Sequence, residues 1–295
     1  MRTVSCNLCG ANDYSVVFPK GYAQVHQIVR CRQCGLMYAN PQEHVDCEVF
    51  AARDKCEVYD PQSEKERDYY QKQLTQLPDN LRALAVLNQV FPARGKLLEI
   101  GSFAGLFLER IRASGWDVTG LEPDRPVAQY ARGRFGLNIV EGVLPDAPLP
   151  KSQFDAVVML HVIEHMPDPA QNLLAIRRLL KTGGMLVIET PRFDSLAFKL
   201  LGRRERSIQN CPGHIFFFTR ETLARLLERA GFNVFKAEKV GRTLTVHQFI
   251  CNLGLITRCL PLRIFLGRAS RALQLTKLRM YVNVGDMQRV YARAV

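Results

Sequence analysis

Residues 96–189 alternate short apolar runs with longer amphipathic stretches, and few folds are compatible with this alternation. We predict five strands here, at residues 96–100, 117–122, 138–140, 154–160 and 185–189. The helices between them are predicted at residues 105–114, 124–135 and 169–180, and a further helix and two strands at 219–230, 232–239 and 287–294. Where a strand, a helix and a second strand follow one another, the two strands pair in parallel and the helix forms a right-handed crossover between them. The sequence therefore predicts an α/β fold with a Rossmann-like, seven-stranded, mostly parallel sheet and helices on both faces.

The first predicted strand carries an acid, Glu99, near its end and runs into a turn that contains Gly101 and Gly105. Ligands of open α/β sheets bind at this carboxyl edge. A dinucleotide would need the spacing G-x-G-x-x-G, but Phe103 stands where the middle glycine belongs. Glu99 would repel a pyrophosphate, whereas it suits the cationic methionyl end of S-adenosylmethionine. A second acid, Glu122, ends the next strand and can accept hydrogen bonds from a ribose diol.

Several segments, taken in order, resemble the motifs of class I S-adenosylmethionine-dependent methyltransferases. The matching segments are Glu99-x-Gly101-x-x-x-Gly105, Glu122-Pro123, and residues 154–169, 180–191 and 214–232. The first is similar to the family's first motif, apart from Phe103 in place of the middle glycine. Residues 214–232 are similar to the late helix found in the ubiquinone-biosynthesis-like branch of this family. The resemblance covers roughly residues 70–295.

This resemblance implies an enzyme that binds S-adenosylmethionine and transfers its methyl group. The residues implied to line the methionine and ribose are Glu99, Gly101, Ser102 and Gly105. Glu122, followed by Pro123, would hold the ribose hydroxyls, and Gly142 and Val143 would flank the adenine. Leu160 and His161 would lie under the sulfonium. We expect O-methylation of a small-molecule, sugar, glycan or lipid-linked acceptor.

Three histidines are candidate bases for an oxygen acceptor: His161, His165 and His214. Their alternative role is structural, as loop or core residues. His161-Val-Ile-Glu-His165 also matches H-x-x-E-H, a zinc-protease signature that needs a helix. Here the segment leaves a strand and runs into Met166-Pro-Asp-Pro169, which disfavours a helix and with it the protease hypothesis.

The N-terminal region contains two C-x-x-C pairs, Cys6 with Cys9 and Cys31 with Cys34. A glycine follows each pair and allows the tight turn that directs two thiolates at one ion. Four thiolates predict a structural, tetrahedral zinc site, although an iron site would use the same ligands. We expect a zinc ribbon at residues 1–45, a linker at 46–66, and the methyltransferase domain at 67–295, which opens with a helix at 67–91.

The net charge of +12 favours anionic partners, and from residue 242 onward nine Lys and Arg face one acid, Asp286. At residues 242–284 we predict a helical, basic and apolar insertion. It would serve as a lid for the acceptor, contact an anionic membrane, or pack as a partner helix that completes the core. The cysteine pairs suit a reducing compartment, and no leader-like apolar run follows Met1, so we expect a cytoplasmic protein. If it contacts the membrane, it would be peripheral to the inner membrane face. The alternatives are an RNA base methyltransferase, which the aliphatic tail disfavours, and a module that binds S-adenosylmethionine without turnover.

Overall fold

The computed structural model describes residues 3–19, 27–42, 58–202, 213–250 and 278–295, together with residues 265, 266, 268, 269, 273 and 275. The first elements are β1 (Tyr14–Phe18), β2 (Ile28–Cys31), β3 (Met37–Ala39), α1 (Glu64–Asn80) and α2 (Arg82–Val90). The central elements are β4 (Lys96–Ile100), α3 (Leu106–Ala113), β5 (Asp117–Glu122), α4 (Arg125–Phe135), β6 (Asn138–Glu141), β7 (Phe154–Leu160), α5 (Pro169–Leu179) and β8 (Leu180–Pro191). The last elements are α6 (Leu196–Leu201), β9 (Phe216–Phe217), α7 (Arg220–Arg229), β10 (Phe232–Thr245) and β11 (Arg279–Ala294).

The large sheet has seven strands in the order β10-β11-β8-β7-β4-β5-β6. Strands β4 to β8 pair in parallel, and β11 runs antiparallel to both of its neighbours. The predicted seven-stranded, mostly parallel sheet is confirmed. Strands β4, β5 and β7 have the predicted bounds because each is a short apolar run that ends at a turn.

Side chains alternate between the two faces of this sheet, so each face has its own core. On one face, which we call the ribbon face, Leu98, Met159 and Ile188 pack with residues of α5, α7 and the N-terminal region. On the other, which we call the α2 face, Leu97 and Val158 pack with residues of α2 and α3. The carboxyl edge of the parallel strands lies between these two cores.

A smaller antiparallel sheet has the order β1-β2-β3-β9. Its first three strands form the four-cysteine ribbon predicted at residues 1–45, while β9 comes from the late part of the chain. Of the predicted linker, residues 46–57 lie outside the described residues, and α1 already begins at Glu64, capped by the Ser63 side chain.

The prediction of one helix over residues 67–91 is wrong, because two helices meet at Leu81. Asp79, at the end of α1, has an almost fully buried side chain. Its carboxylate accepts hydrogen bonds from the amide and hydroxyl of Thr243, and its carbonyl oxygen accepts one from Arg289. These contacts with β10 and β11 join distant parts of the chain, so helical periodicity could not reveal them.

The predicted helical insertion at 242–284 is wrong at both ends. Residues 242–245 continue β10 and residues 279–284 begin β11, and the register pairs Arg242 with Val282. Arg242 also forms an ion pair with Asp286, which joins the extended ends of the two strands. Residues 246–250 are helical, and residues 251–264 lie outside the described residues. Within the described ranges, no helix is long and apolar enough to cross a membrane.

Candidate active site

The turn after β4 requires glycine at two positions. The backbone φ is +73° at Gly101 and +77° at Gly105. A β-carbon at Gly101 would lie 2.7 Å from Val162 Cγ2, and one at Gly105 would lie 2.6 Å from Leu137 Cδ1. The turn can therefore pack closely against its neighbours, and it starts α3 at the carboxyl edge of the sheet.

Glu99 lies one residue before the end of β4, and Glu122 ends the neighbouring parallel strand β5. Both are almost fully buried. Glu122 accepts hydrogen bonds from the backbone amides of Phe103 (2.7 Å) and Asp124 (2.9 Å). Its carbonyl oxygen accepts a further bond from the amide of Gly142 at 3.2 Å, at the end of β6. One acid thus connects the ends of β4, β5 and β6.

The pKa values of these two carboxyl groups are raised. Burial raises the pKa of Glu122 to about 7, although the amides of Asp124 and Phe103 act to lower it. Burial, reinforced by the charge of Glu122, raises the pKa of Glu99 well above its usual range. Glu99 Oε2 and Ser102 Oγ are buried and have no hydrogen-bond partner in the described part of the chain. Such buried orphan atoms are expected where a polar ligand binds.

An aromatic cluster covers the turn. The ring of Phe103 meets Tyr59 edge-on at 5.6 Å and Tyr69 at 4.7 Å, and Tyr59 also meets Tyr130 at 5.2 Å. Phe103 has a φ of +45°, a conformation that costs about 1–3 kcal/mol for a non-glycine residue. Aromatic pairs contribute about 0.5–1.5 kcal/mol each beyond their buried area, so the cluster offsets this strain.

His161 follows β7 and lies between two carboxylates. Its φ is +58°, and its amide donates to the Glu189 carbonyl oxygen at 2.8 Å. Its Nδ1 lies 3.7 Å from Glu164 Oε1, and its Nε2 lies 3.6 Å from Glu189 Oε1. About 40% of its side chain is exposed, so it can reach a ligand at the edge of the sheet.

Glu164 lies below His161 in a short 3-10 turn (Ile163–His165) and is fully buried. Thr190 Oγ1 donates to its Oε2 at 2.9 Å, and His214 Nε2 lies 3.8 Å from its Oε1. Burial acts to raise the pKa of Glu164, but the contact with His161 and the nearby charges of His214 and His165 outweigh it and lower the pKa to about 2. The rings of His165 and His214 are 4.6 Å apart. Since ligand atoms of Glu164, His165 and His214 lie within 4.8 Å of one another, this group has the spacing of a candidate ion site.

Glu189 is held on the α2 face by a buried arginine. Arg289, which is 1% exposed, donates to Glu189 Oε2 through its Nε at 2.8 Å and contacts it through a terminal nitrogen at 2.6 Å. A terminal nitrogen also donates to the Asp79 carbonyl oxygen at 2.9 Å. Arg289 therefore engages one oxygen of Glu189, and the other faces His161.

The family model described as a methyltransferase domain matches residues 48–237, more than half of the chain. The chain belongs to this family of S-adenosylmethionine-dependent methyltransferases. The predicted resemblance and the predicted enzyme class are thereby confirmed.

Curated relatives match this methyltransferase over part of their length. The "probable S-adenosylmethionine-dependent methyltransferase" of Mycolicibacterium smegmatis is 32% identical over 139 residues, which are 47% of this chain and 52% of the relative. The ubiquinone biosynthesis O-methyltransferase of Cereibacter sphaeroides is 36% identical over 120 residues, or 39% and 49% of the two chains. Both alignments span about half of the relative.

Among solved structures, an S-adenosylmethionine-dependent methyltransferase of Thermotoga maritima aligns with a TM-score of 0.54 at 21% identity, covering 78% of this chain and 95% of its own. The Haloferax volcanii complex of the Trm112 methyltransferase activator with a methyltransferase aligns with a TM-score of 0.55 at 15% identity, covering 86% and 99%. At these identities the likeness shows the fold alone.

The structure places the nine predicted cofactor residues of the methyltransferase at the carboxyl edge of four neighbouring strands. They follow or end β4 (Glu99, Gly101, Ser102, Gly105), β5 (Glu122, Pro123), β6 (Gly142, Val143) and β7 (Leu160). Their assignment to the cofactor stays a prediction. The rings of His165 and His214 are in contact, and His161 and His214 both approach Glu164 Oε1, although His214 is distant in sequence from the other two.

The four cysteines gather as predicted. The Sγ atoms of Cys6 and Cys34 are 3.3 Å apart, those of Cys9 and Cys31 are 3.5 Å apart, and all four lie within 4.8 Å of one another. Tetrahedral zinc with Zn–S bonds of about 2.3 Å needs sulfurs about 3.8 Å apart. The four thiolates would hold zinc as a closed structural set, and the donor set fits that ion.

Sequence reasoning missed several buried residues near this edge. Glu189 ends a predicted strand with an acid, as Glu99 and Glu122 do, so a signal for it was present. Arg289 and Gln288 carried no such signal, because their positions depend on the register of β11 against β8.

Proposed function

We propose that the enzyme transfers the methyl group of S-adenosylmethionine to a hydroxyl oxygen of a small-molecule, sugar, glycan or lipid-linked acceptor. The position of His161 supports this proposal most directly. It follows Leu160, the residue assigned to the sulfonium, and lies between two carboxylates while part of its ring is exposed. An oxygen acceptor benefits from such an oriented base.

We assign the cofactor to the edge formed by β4 to β7. The unsatisfied Glu99 Oε2 and Ser102 Oγ would bind polar groups of the methionine and ribose. Glu122, whose carboxylate already accepts two backbone amides, would bind the ribose hydroxyls with its remaining lone pairs, beside Pro123. Gly142 and Val143 would flank the adenine.

Bound at this edge, S-adenosylmethionine would supply the methyl group from a sulfonium: the new bond from the acceptor oxygen to the methyl carbon would replace the carbon–sulfur bond and leave a neutral thioether. The hydroxyl proton passes to a ring nitrogen of His161. Neither carboxylate contact of His161 is as short as a hydrogen bond, so the ring can turn, donate to one carboxylate and present its other nitrogen to the acceptor. His165 and the buried His214 would support Glu164, which orients the base.

The class of acceptor rests on two further observations. Several relatives, among them the Cereibacter sphaeroides protein, are ubiquinone biosynthesis O-methyltransferases. The excess of positive charge from residue 242 onward suits an anionic or lipid-linked acceptor, and we propose peripheral contact with an anionic membrane on its cytoplasmic face.

The proposal can be tested by incubating the protein with methyl-labelled S-adenosylmethionine and separate fractions of small molecules, lipids and RNA. We expect label on oxygen in a small-molecule or lipid product. His161→Ala should lower the rate by about 10²–10⁴ without changing affinity for S-adenosylhomocysteine, and Glu228→Ala, at an exposed position on α7, serves as the control. Label found only in RNA, or full activity of His161→Ala, would contradict the proposal.

A further inference from the structure

The four-cysteine ribbon is connected to the acceptor side of the site by a short path of hydrogen bonds. Strand β3 pairs with β9, and Tyr38 lies opposite Phe216 with their rings stacked at 6.3 Å. The Ala39 amide donates to the carbonyl oxygen of Ile215 at 2.8 Å. The ribbon thereby fixes the backbone that immediately follows His214.

The same backbone fixes Glu164. The Ile215 amide donates to the Glu164 carbonyl oxygen at 2.9 Å, and His214 Nε2 lies 3.8 Å from the Glu164 carboxylate. Glu164 in turn lies 3.7 Å from His161, the proposed base. Residue 215 therefore bonds to the ribbon through its carbonyl and to the histidine cluster through its amide.

The cysteines hold β3 in the position from which it contacts the backbone of Ile215. Cys31 ends β2, and its amide donates to Leu36 at 2.9 Å, directly before β3. Cys6 and Cys34 lie in the same apolar cluster as Ile163 and Phe216. Metal bound by the four thiolates would stabilise this small sheet, because in such modules the free energy of metal binding is free energy of folding.

The two acids of the cofactor edge lie on the other face of the sheet from this path, and the closest approach of the two regions is that of Gly101 to Val162. Glu99 and Glu122 alternate with Leu98 and Leu121 of the ribbon face, so their side chains lie on the α2 face. The ribbon has a second contact with the main domain, where Asn7 bonds to Asp168 at 2.8 Å and to the amide of Ala170 at 2.8 Å. That contact holds the ribbon on the start of α5 and does not involve His214 or Glu164.

We infer that the metal-bound ribbon is a positioning element of the methyltransferase, which holds His214 and Glu164 through β9 and so orients His161. This inference rests on the proposed role of His161 as base. When the ribbon loses its metal, β3 no longer restrains residue 215, the histidine cluster loosens, and the cofactor edge stays formed.

The inference can be tested without an acceptor, by comparing Cys9→Ala with Cys9→His in the presence of zinc chloride. Three cysteines and a histidine are an ordinary zinc set, so Cys9→His should keep the ion. We expect amide hydrogen exchange at Ile215 to rise at least about tenfold in Cys9→Ala and to stay at the wild-type rate in Cys9→His. Affinity for S-adenosylhomocysteine, measured by calorimetry, should change less than about twofold in both.

Two further variants keep the test decisive if Cys9→Ala fails to fold. Ala39→Pro removes the amide that bonds to Ile215 and leaves all four cysteines, so Ile215 should lose protection while the zinc content stays that of the wild type. Asn7→Ala removes the other contact and should leave Ile215 protected. Unchanged exchange at Ile215 after zinc loss and in Ala39→Pro would overturn the inference, as would a parallel loss of S-adenosylhomocysteine binding. Since no readout uses an acceptor, these outcomes are independent of whether oxygen is the atom methylated.

Discussion

Glu122 makes the stability of the methyltransferase depend on pH, and the structure gives the sign and size of the effect. Burial raises the pKa of this carboxyl group from 4.5 to about 7. The folded protein therefore binds the proton of Glu122 more tightly than the unfolded chain does. Stability falls as pH rises from about 4.5 to about 7, and the loss is complete above that range. At about 1.4 kcal/mol for each tenfold change in proton affinity, the loss is about 3 kcal/mol.

Glu122→Gln removes this titration. The free energy of unfolding of the variant, relative to wild type, should therefore increase by about 3 kcal/mol between about pH 4.5 and about pH 8. The glutamine also places an amide near the backbone donors of Phe103 and Asp124, but that cost is the same at both pH values and cancels in the comparison.

Urea denaturation of the protein without cofactor at the two pH values provides the measurement. The matched control is Glu228→Gln, which changes an exposed glutamate on α7 and should give no difference between the two pH values. A pH-dependent difference below about 1 kcal/mol for Glu122→Gln, or one of opposite sign, would refute the reasoning.

Two further predictions concern buried polar side chains of β11. Arg289→Met leaves Glu189 buried without its cation and should lower the free energy of unfolding by about 3–5 kcal/mol in urea titrations. The double variant with Glu189→Gln should recover most of this loss. If the losses of the two single variants simply add, the pairing is contradicted. Gln288 is 3% exposed and neither end of its amide has a hydrogen-bond partner within the described ranges, so Gln288→Met should raise the melting temperature of the protein; a decrease would show that the amide is satisfied.

The local features of this fold could be predicted from the sequence. The bounds of β4 and β7 follow from apolar runs that end at turns, and the acid and glycines after β4 occur within one short segment. The same holds for the cysteine pairs, since each pair is brought together by its own tight turn. In all of these cases the partners are near one another in the chain, so residue type and spacing carry the information.

Contacts between distant segments could not be predicted in this way. In the sequence, Phe103 only departs from a glycine motif, because Tyr59 and Tyr69, which pack against it, belong to another part of the chain. Arg289 pairs with Glu189 across 100 residues, and a shift of one residue in the register of β11 would move that charge to the opposite face. Periodicity gives neither the register nor the partner.

The alternation of side chains along β8 explains how His161 is approached from both faces of the sheet. Glu189 points to the α2 face, where Arg289 holds it, and Thr190 points to the ribbon face, where it donates to Glu164. His161 lies where both acids can reach it, within 3.7 Å of each. The proposed base is therefore held between the two cores, one on the α2 face and one on the ribbon face. We therefore expect substitutions in either core to lower the activity that depends on His161.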